Sequence, residues 1–363
     1  MKIGGAALGC LGATALLAAS CQLLVGLEER TERASDAGPA VIDGEAPIDP
    51  CSVVGTPARP NMPDDDGGGD FVFALERIDV GLDGGLPFSL NLDRTCTCPA
   101  ADSCIRPDAG GSKCDGDGGS DNATSAALEV LTIARVFSEE SLNQNLRSGT
   151  SGALLRLQRY SGLPDDPSVI ASFYGAIAFD GPRPTGRPED RWIVDEAALE
   201  EPKAEYRARY FDANAYVSSG TLVATFDFPL EVGGNERQAP LRLDFRAGVI
   251  VARVDVTTGK VRGVLAGRWP TASIFSTLAT LPDPLAPGEY VCPGTSSYRA
   301  LRDLVCGARD IVRDPLLDHT GASCDALSAI IGFEGSRAQL GGFGIRPRAP
   351  GGCEAGVAVY CDD

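Results

Sequence analysis

The placement of the cysteines limits how this chain can close on itself. Between Cys114 and Cys292 there are none. Cys51, Cys96, Cys98, Cys104 and Cys114 lie before that gap, and Cys292, Cys306, Cys324, Cys353 and Cys361 lie after it. In an oxidising compartment cysteines pair. Two groups of five cannot each pair internally, so if all ten are oxidised at least one bridge joins the early group to the late one. The two margins of the folded region then sit side by side, which argues for one domain over two. A bridge closing so long a loop contributes about 2–4 kcal/mol. Zinc is the competing use of clustered thiols. Cys96-Thr97-Cys98 leaves one residue between sulfurs where zinc sites usually leave two, and no histidine is near.

Whether the compartment is oxidising depends on the N-terminus. Met1-Lys2 is a short positive start, and Ile3 to Ala19 is small and apolar without a charge. That run is too short for a comfortable membrane span and fits the core of a secretion signal. Leu17-Ala18-Ala19-Ser20-Cys21 follows, with Gln22 behind it. This stretch resembles the lipobox of bacterial lipoproteins, although that family prefers Leu three residues before the cysteine, where this chain has Ala18. The resemblance implies that residues 1–20 are a signal peptide and that Cys10 is lost with it. It implies that Cys21 carries a diacylglyceryl group and an acylated amino terminus, palmitate or its like. A residue other than Asp after the cysteine implies the outer membrane. Two or three acyl chains hold firmly, since each buried methylene contributes about 0.8 kcal/mol. Ala18-x-Ser20 also reads as an ordinary cleavage site, so plain secretion stands beside lipidation. Further along, the acidic tether, "SLNLDRTCTC", "DGDGGSDNA" and "CDALSAIIGF" are similar to outer-membrane lipoproteins of Gram-negative bacteria. That family implies a location and no reaction.

Residues 21–70 read as the lipidated cysteine and its tether. Gln22 to Asp70 holds eleven acids against three basic residues, with few large apolar side chains. Such a stretch cannot offset the entropy of folding and acts as a solvated spacer. Residues 71–363 remain as a single disulfide-stapled, β-rich domain. The net charge of −18 and a pI near 4.5 make nucleic acid and anionic headgroups poor partners.

Within that domain the periodicity is mainly that of strands. Phe71, Phe73 and Leu75 alternate, as do Phe88, Leu90 and Leu92. "NATSAALEVLTIARVF" predicts a helix capped by Asp121 or Asn122, with Ala126, Val130, Ile133, Ala134 and Phe137 as its stripe. A short helix follows over Glu139 to Leu146. Strands are expected around Leu155 to Tyr160, Val169 to Phe179, Thr221 to Phe228 and Leu241 to Phe245. A hairpin turns at Thr258-Gly259. A helix starts after Pro270, and another carries Leu301, Leu304, Val305, Ala308 and Ile311 until Pro315. Strands at short spacing suggest a sandwich or an open barrel. The fold expected is α+β, mainly β: an antiparallel β-sandwich-like domain with a few short helices and disulfide-stapled ends.

Few motifs carry chemistry. Asp115, Asp117 and Asp121 on a glycine-rich loop could supply oxygens to calcium, but no Glu stands at the twelfth position of an EF-hand loop, and an acidic turn is the plainer reading. His319 is the only histidine. One suffices for a Ser-His-Asp arrangement, yet there is no G-x-S-x-G elbow, and H-E-x-x-H, the Walker A pattern and the dinucleotide glycine fingerprint are missing too. Arg299, Arg302, Arg309 and Arg313 share a helical face with Asp303 and Asp310 within a turn, as on a salt-bridged solvent face. Trp192, Tyr210, Tyr216 and Trp269 could stack on sugars, though such rings serve cores more often. Asn122-Ala123-Thr124 is a glycosylation sequon without a use in a bacterial lipoprotein. The reading is a surface-anchored envelope protein with a non-enzymatic binding or structural role, linked to an envelope glycan, a protein or calcium, and otherwise without a cofactor. Its alternative is a secreted hydrolase built on Ser, His319 and Asp.

Overall fold

In the computed structural model the first strand of the domain lies beside the last. The described residues are 55–353 and Cys361, apart from 64–67, 82–85, 87, 98–101, 107–114, 117–118, 134–137, 233–240, 287 and 348–351. Residues 1–54, with Cys21 and Cys51 among them, and Cys98, Cys114 and Asp117 therefore lie outside them. Ten strands are present among the described residues: β1 (Gly69–Asp79), β2 (Gly152–Tyr160), β3 (Asp166–Phe179), β4 (Arg191–Asp195), β5 (Tyr210–Ser218), β6 (Thr221–Thr225), β7 (Phe228–Val232), β8 (Leu241–Asp255), β9 (Lys260–Pro270) and β10 (Ala326–Gly344). The helices are α1 (Ala123–Ile133), α2 (Glu139–Ser148), α3 (Thr271–Leu278) and α4 (Ser296–Gly307).

Pairing runs β1-β2-β3-β5-β6-β8-β9-β10 and back to β1, every contact antiparallel. This is a closed eight-stranded barrel, and it corrects the expected sandwich. Period-two alternation is the same in both architectures. What separates them is whether the two end strands of the sheet find each other, and here Val72 to Asp79 pair with Gly332 to Ala338. Closure leaves no long unpaired edge among the described barrel strands.

A second, smaller ring shares the wall. β3 and β10 outrun their barrel partners, and β4 fills the fork between their ends, antiparallel to β3 and parallel to β10. β10-β1-β2-β3-β4 thus closes on itself as a five-stranded ring. The common wall alternates between two interiors. Phe73, Leu75, Leu155, Leu157, Ala171 and Phe173 point into the large barrel. Val72, Ala74, Leu154, Tyr174, Ala176 and Ala338 join Trp192 and Val194 of β4 in the small one. The eight-stranded interior is filled by side chains, as the geometry of such a barrel allows. β7 and all four helices contribute apolar side chains to the same core, among them Phe228, Leu131, Leu146, Phe275 and Leu301.

Local sequence explains the element ends. Ser138 Oγ accepts from Ser141 N–H to start α2, and Gly149 stops it with φ of 77°. The β8–β9 hairpin turns where expected. Asp255 accepts from Thr257 and Thr258 N–H, and Gly259 takes φ of 67°. Two expectations fail. Phe88, Leu90 and Leu92 form no strand but an irregular run, whose Leu90 packs on Val251, Val264, Ala266 and Ile330 outside the barrel. α1 buries Ala127, Leu128 and Leu131, and Ala126 of the expected stripe is half-buried. Val130 and Ile133 side chains, with Ala134 and Phe137, lie outside the described residues. Helix α4 stops at Gly307, well before Pro315.

Three bridges join described cysteines. Cys104–Cys324 links the early group to the late one across 220 residues, as the odd count requires, and Cys292–Cys353 and Cys306–Cys361 tie the C-terminal segment to α4 and the loop before it. Cys96 is disulfide-bonded too.

The small ring supplies a test. A Cβ on Gly152 would lie 2.6 Å from the Trp192 ring, so Gly152→Ala should lower stability by about 1–3 kcal/mol. In a Trp192→Leu background that added loss should largely vanish, as read from paired urea denaturation curves. An equal loss in both backgrounds would place the strain elsewhere.

Candidate functional site

The side chains with chemical potential converge on the outer face of β8, β9 and β10, under the loops that precede α1 and follow α4. Arg268 organises them. Its neighbours on β9, Leu265 and Trp269, enter the barrel, while Arg268 itself points outward with Val264 and Ala266 and is 1% exposed. It donates to both oxygens of Asp318 at 2.8 and 2.6 Å, to Val312 C=O at 2.7 Å and to Leu92 C=O at 2.8 Å. One guanidinium therefore fixes the barrel wall to both covering loops, with the two-pronged geometry that suits arginine.

His319, beside Asp318, does not meet its carboxylate. Its N–H donates to Ser103 C=O at 2.7 Å, and its Nε2 lies 3.3 Å from Thr95 Oγ1. The ring is exposed. Both His319 and Arg94, next to Thr95, hold left-handed backbone, with φ of 61° and 60°. The neighbour of His319 is thus a threonine, and Asp318 is committed to Arg268. Lys260 and Ser336 also touch, at 2.5 Å. Ser336 is buried, however, and Lys260 reaches Glu76 at 3.4 Å, so that pair ties strands together.

Beneath the loops lies a group of aspartates. Asp121 accepts from Leu92 N–H at 2.6 Å, Asp115 from Thr97 N–H at 2.6 Å and Asp93 from Thr95 N–H at 2.8 Å. Asp310 accepts from Ser328 N–H at 2.8 Å and Ser328 Oγ at 2.5 Å. Burial, with Asp93, Asp310 and Asp115 close by, pushes the Asp121 carboxyl up to about 9. Burial also pushes Asp310 up to about 6, against the hydrogen bonds from Ser328, and raises Asp115. At neutral pH Asp121 carries its proton. Asp115 and Asp121 are the two expected calcium donors that are described. Among the described residues no three His, Cys, Asp or Glu side chains are grouped to hold a metal ion.

Other expectations are redistributed. Asp121 and Asn122 do not cap α1. Ser328 Oγ, from β10, takes the Ala123 N–H, while Asn122 Oδ1 accepts from Ile330 N–H. The four arginines do not share one helical face, because α4 ends before two of them. Arg309 Nε donates to Cys306 C=O, Arg313 pairs with Asp325 at 3.3 Å, and Asp310 serves Ser328. Trp192 and Trp269 are each 2% exposed in cores, so neither can stack on a sugar. Tyr216 is covered by the segment around Pro57 and Arg59. Arg59 lies over its ring at 4.8 Å and donates to Pro167 C=O at 2.6 Å and to Asn214 C=O, and Tyr216 Oη returns a bond to Pro57 C=O at 2.6 Å. Neither Arg268 nor Thr95 belongs to a motif in the sequence. The one available signal for Arg268 was a lone charge inside the apolar strand "VLAGRW".

No protein-family model, curated protein or solved structure matches this chain. The reading of the site therefore rests on its own geometry.

Two outcomes test that geometry. Arg268→Met leaves the half-buried Asp318 and two loop carbonyls without their partner and should cost about 3 kcal/mol, whereas adding Asp318→Leu should recover part of the loss. A double variant no better than the single would remove Arg268–Asp318 as the organising contact. The second concerns pH. Folded Asp121 keeps its proton to about pH 9, while an unfolded aspartate releases it near the ordinary value of 3.8. Between those values the folded chain binds more protons, so stability falls as pH rises, by up to about 1.4 kcal/mol per pH unit. Urea midpoints at pH 5, 7 and 9 should fall in that order, and Asp121→Asn should flatten the trend. An unchanged slope in Asp121→Asn would assign the trend to other groups.

Proposed function

We propose that this chain is an acyl-anchored envelope lipoprotein whose folded part works by binding or support and not by catalysis. The anchor follows from Leu17 to Cys21 and the acidic stretch behind it. The observation that carries the non-enzymatic part is the engagement of Asp318 by Arg268. The acid next to the only histidine is already held by a buried guanidinium, and the ring nitrogen faces Thr95. A His-dependent nucleophile needs its base oriented by a third group, and Asp318 does not serve that purpose. The filled barrel interiors support the same reading, since the fold's two enclosed volumes are taken by its own side chains. The latch of Arg59 on the β3–β5 seam suits a domain displayed at the end of a tether.

Mass spectrometry of the mature protein should show residues 1–20 removed and Cys21 carrying diacylglyceryl and acyl groups. Cys21→Ser should move the protein from the membrane fraction to the soluble one. A wild-type protein with its leader intact, or with unmodified Cys21, would overturn the anchor.

A further inference from the structure

We infer that the turn pair bearing Ile105, Leu316 and Leu317 is a membrane-contact surface, whose side chains enter the interfacial layer of a lipid bilayer. The three are 60%, 83% and 44% exposed. They do not hang on a loose segment. Ile105 N–H donates to Ala322 C=O at 2.8 Å, Cys324 N–H donates to Ile105 C=O at 2.9 Å, and Cys104–Cys324 locks the same two segments. His319 N–H adds its bond to Ser103 C=O. Leu316 and Leu317 lie in the single helical turn Pro315–Leu317, where Asp314 Oδ1 accepts from Leu316 N–H at 3.0 Å. Two adjacent leucines are thus held outward on a braced turn, where water is their least favourable neighbour.

Area and charge choose the occupant. A stable protein–protein interface buries roughly 800 Å² on each side, and three aliphatic side chains fall well short of that. A bilayer sets no such minimum, because each side chain that enters its apolar boundary contributes by itself. Asp314, exposed at the start of the Pro315–Leu317 turn, spends one carboxylate oxygen on the Leu316 N–H, and three other acids around the turns are paired with arginines. Asp325 pairs with Arg313, Asp102 with Arg106 at 3.5 Å and Asp318 with Arg268. With Asp314 at the turn and a net charge of −18, a bilayer of neutral headgroups suits this spot better than an anionic one. Reach is sufficient as well. Thirty-three residues lie between Cys21 and Gly55, and at about 3.3 Å each when extended they let any face of the domain meet the bilayer. The inference takes its proximity from the proposed anchor and its chemistry from the turns.

The test uses the full mature chain with Cys21→Ser, so that acylation does not mask the contact, and phosphatidylcholine vesicles in a flotation assay. The chain should float with vesicles equally at 0.1 and 0.5 M sodium chloride, because apolar insertion is not screened. Leu316→Asn with Leu317→Asn should weaken binding at least about tenfold, and Ile105→Asn should weaken it further. Ile345→Asn, at a residue 77% exposed elsewhere on the surface, should leave binding unchanged. Melting curves matching the parent would show the variants folded. Binding that survives the double Leu variant, or a parent that never floats, overturns the proposal. So does a concentration-dependent dimer that the same variant dissolves, since a second copy would then be the occupant. Failure of the anchor reading appears separately, as unmodified Cys21 in the wild-type protein.

Discussion

The wall β10-β1-β2-β3 has an apolar interior on each side, and that constraint shapes the rest of the molecule. A strand in an ordinary antiparallel sheet gives one face to water. Here Phe73 and Val72, or Leu155 and Leu154, are neighbours in sequence and belong to different cores. Both phases of the alternation must be apolar, and both must be filled to interior density. Small residues in the wall make room for large ones across each ring. Gly152 lies against the Trp192 ring, and Ala74 and Ala176 share the small core with Tyr174. The cysteine-free middle of the chain supplies most of the strands, and the three described bridges join loops, α4 and the C-terminal segment.

A shared wall creates a second requirement. Its strands do not pair along their full lengths, so backbone groups are left at each fork, and a buried backbone group without a partner is costly. Side chains from distant segments stand in for the missing strands. The Asn143 amide accepts from Ile78 N–H at 2.7 Å and donates to Ile78 C=O at 2.8 Å, as a paired strand residue would. Asn122 takes Ile330 N–H, and Asp310 takes Ser328 N–H. Arg268 does the same for two loop carbonyls. The polar residues that looked like candidates for chemistry are thus largely employed in closing the fold. The raised carboxyl of Asp121 belongs with this group. It bonds a loop N–H in a place where water cannot reach its charge, so it keeps its proton.

What could be read in the sequence follows from local physics. Strand periodicity located β1, β2, β3 and the β8–β9 hairpin, because alternation and turn chemistry are properties of adjacent residues. It misread Phe88 to Leu92, whose alternation is real but whose backbone forms no ladder. Pairing needs a partner strand, and the outer face of the barrel offers only side chains there. The face that α1 buries through Ala127, Leu128 and Leu131 is set by the strand it docks on, where Ser328 takes the Ala123 N–H and accepts from Thr124. Around the site, His319 and the acidic loop were visible as residue types. That Asp318 turns to Arg268, that Thr95 meets His319 and that both tryptophans are internal depend on contacts across many positions.

By itself the sequence determined the strand-rich character of the chain, its acidic surface, the lipobox-like start and the need for a bridge between early and late cysteines. These are consequences of composition, periodicity and parity, which do not depend on the fold. Only the tertiary structure decided that the sheet closes into a barrel, that a second ring grows on its wall, and which buried polar groups face one another. Those outcomes turn on pairings between residues far apart in the chain, such as Val72 with Ala338 and Arg268 with Asp318, whose energies become defined only once the whole fold holds the partners together.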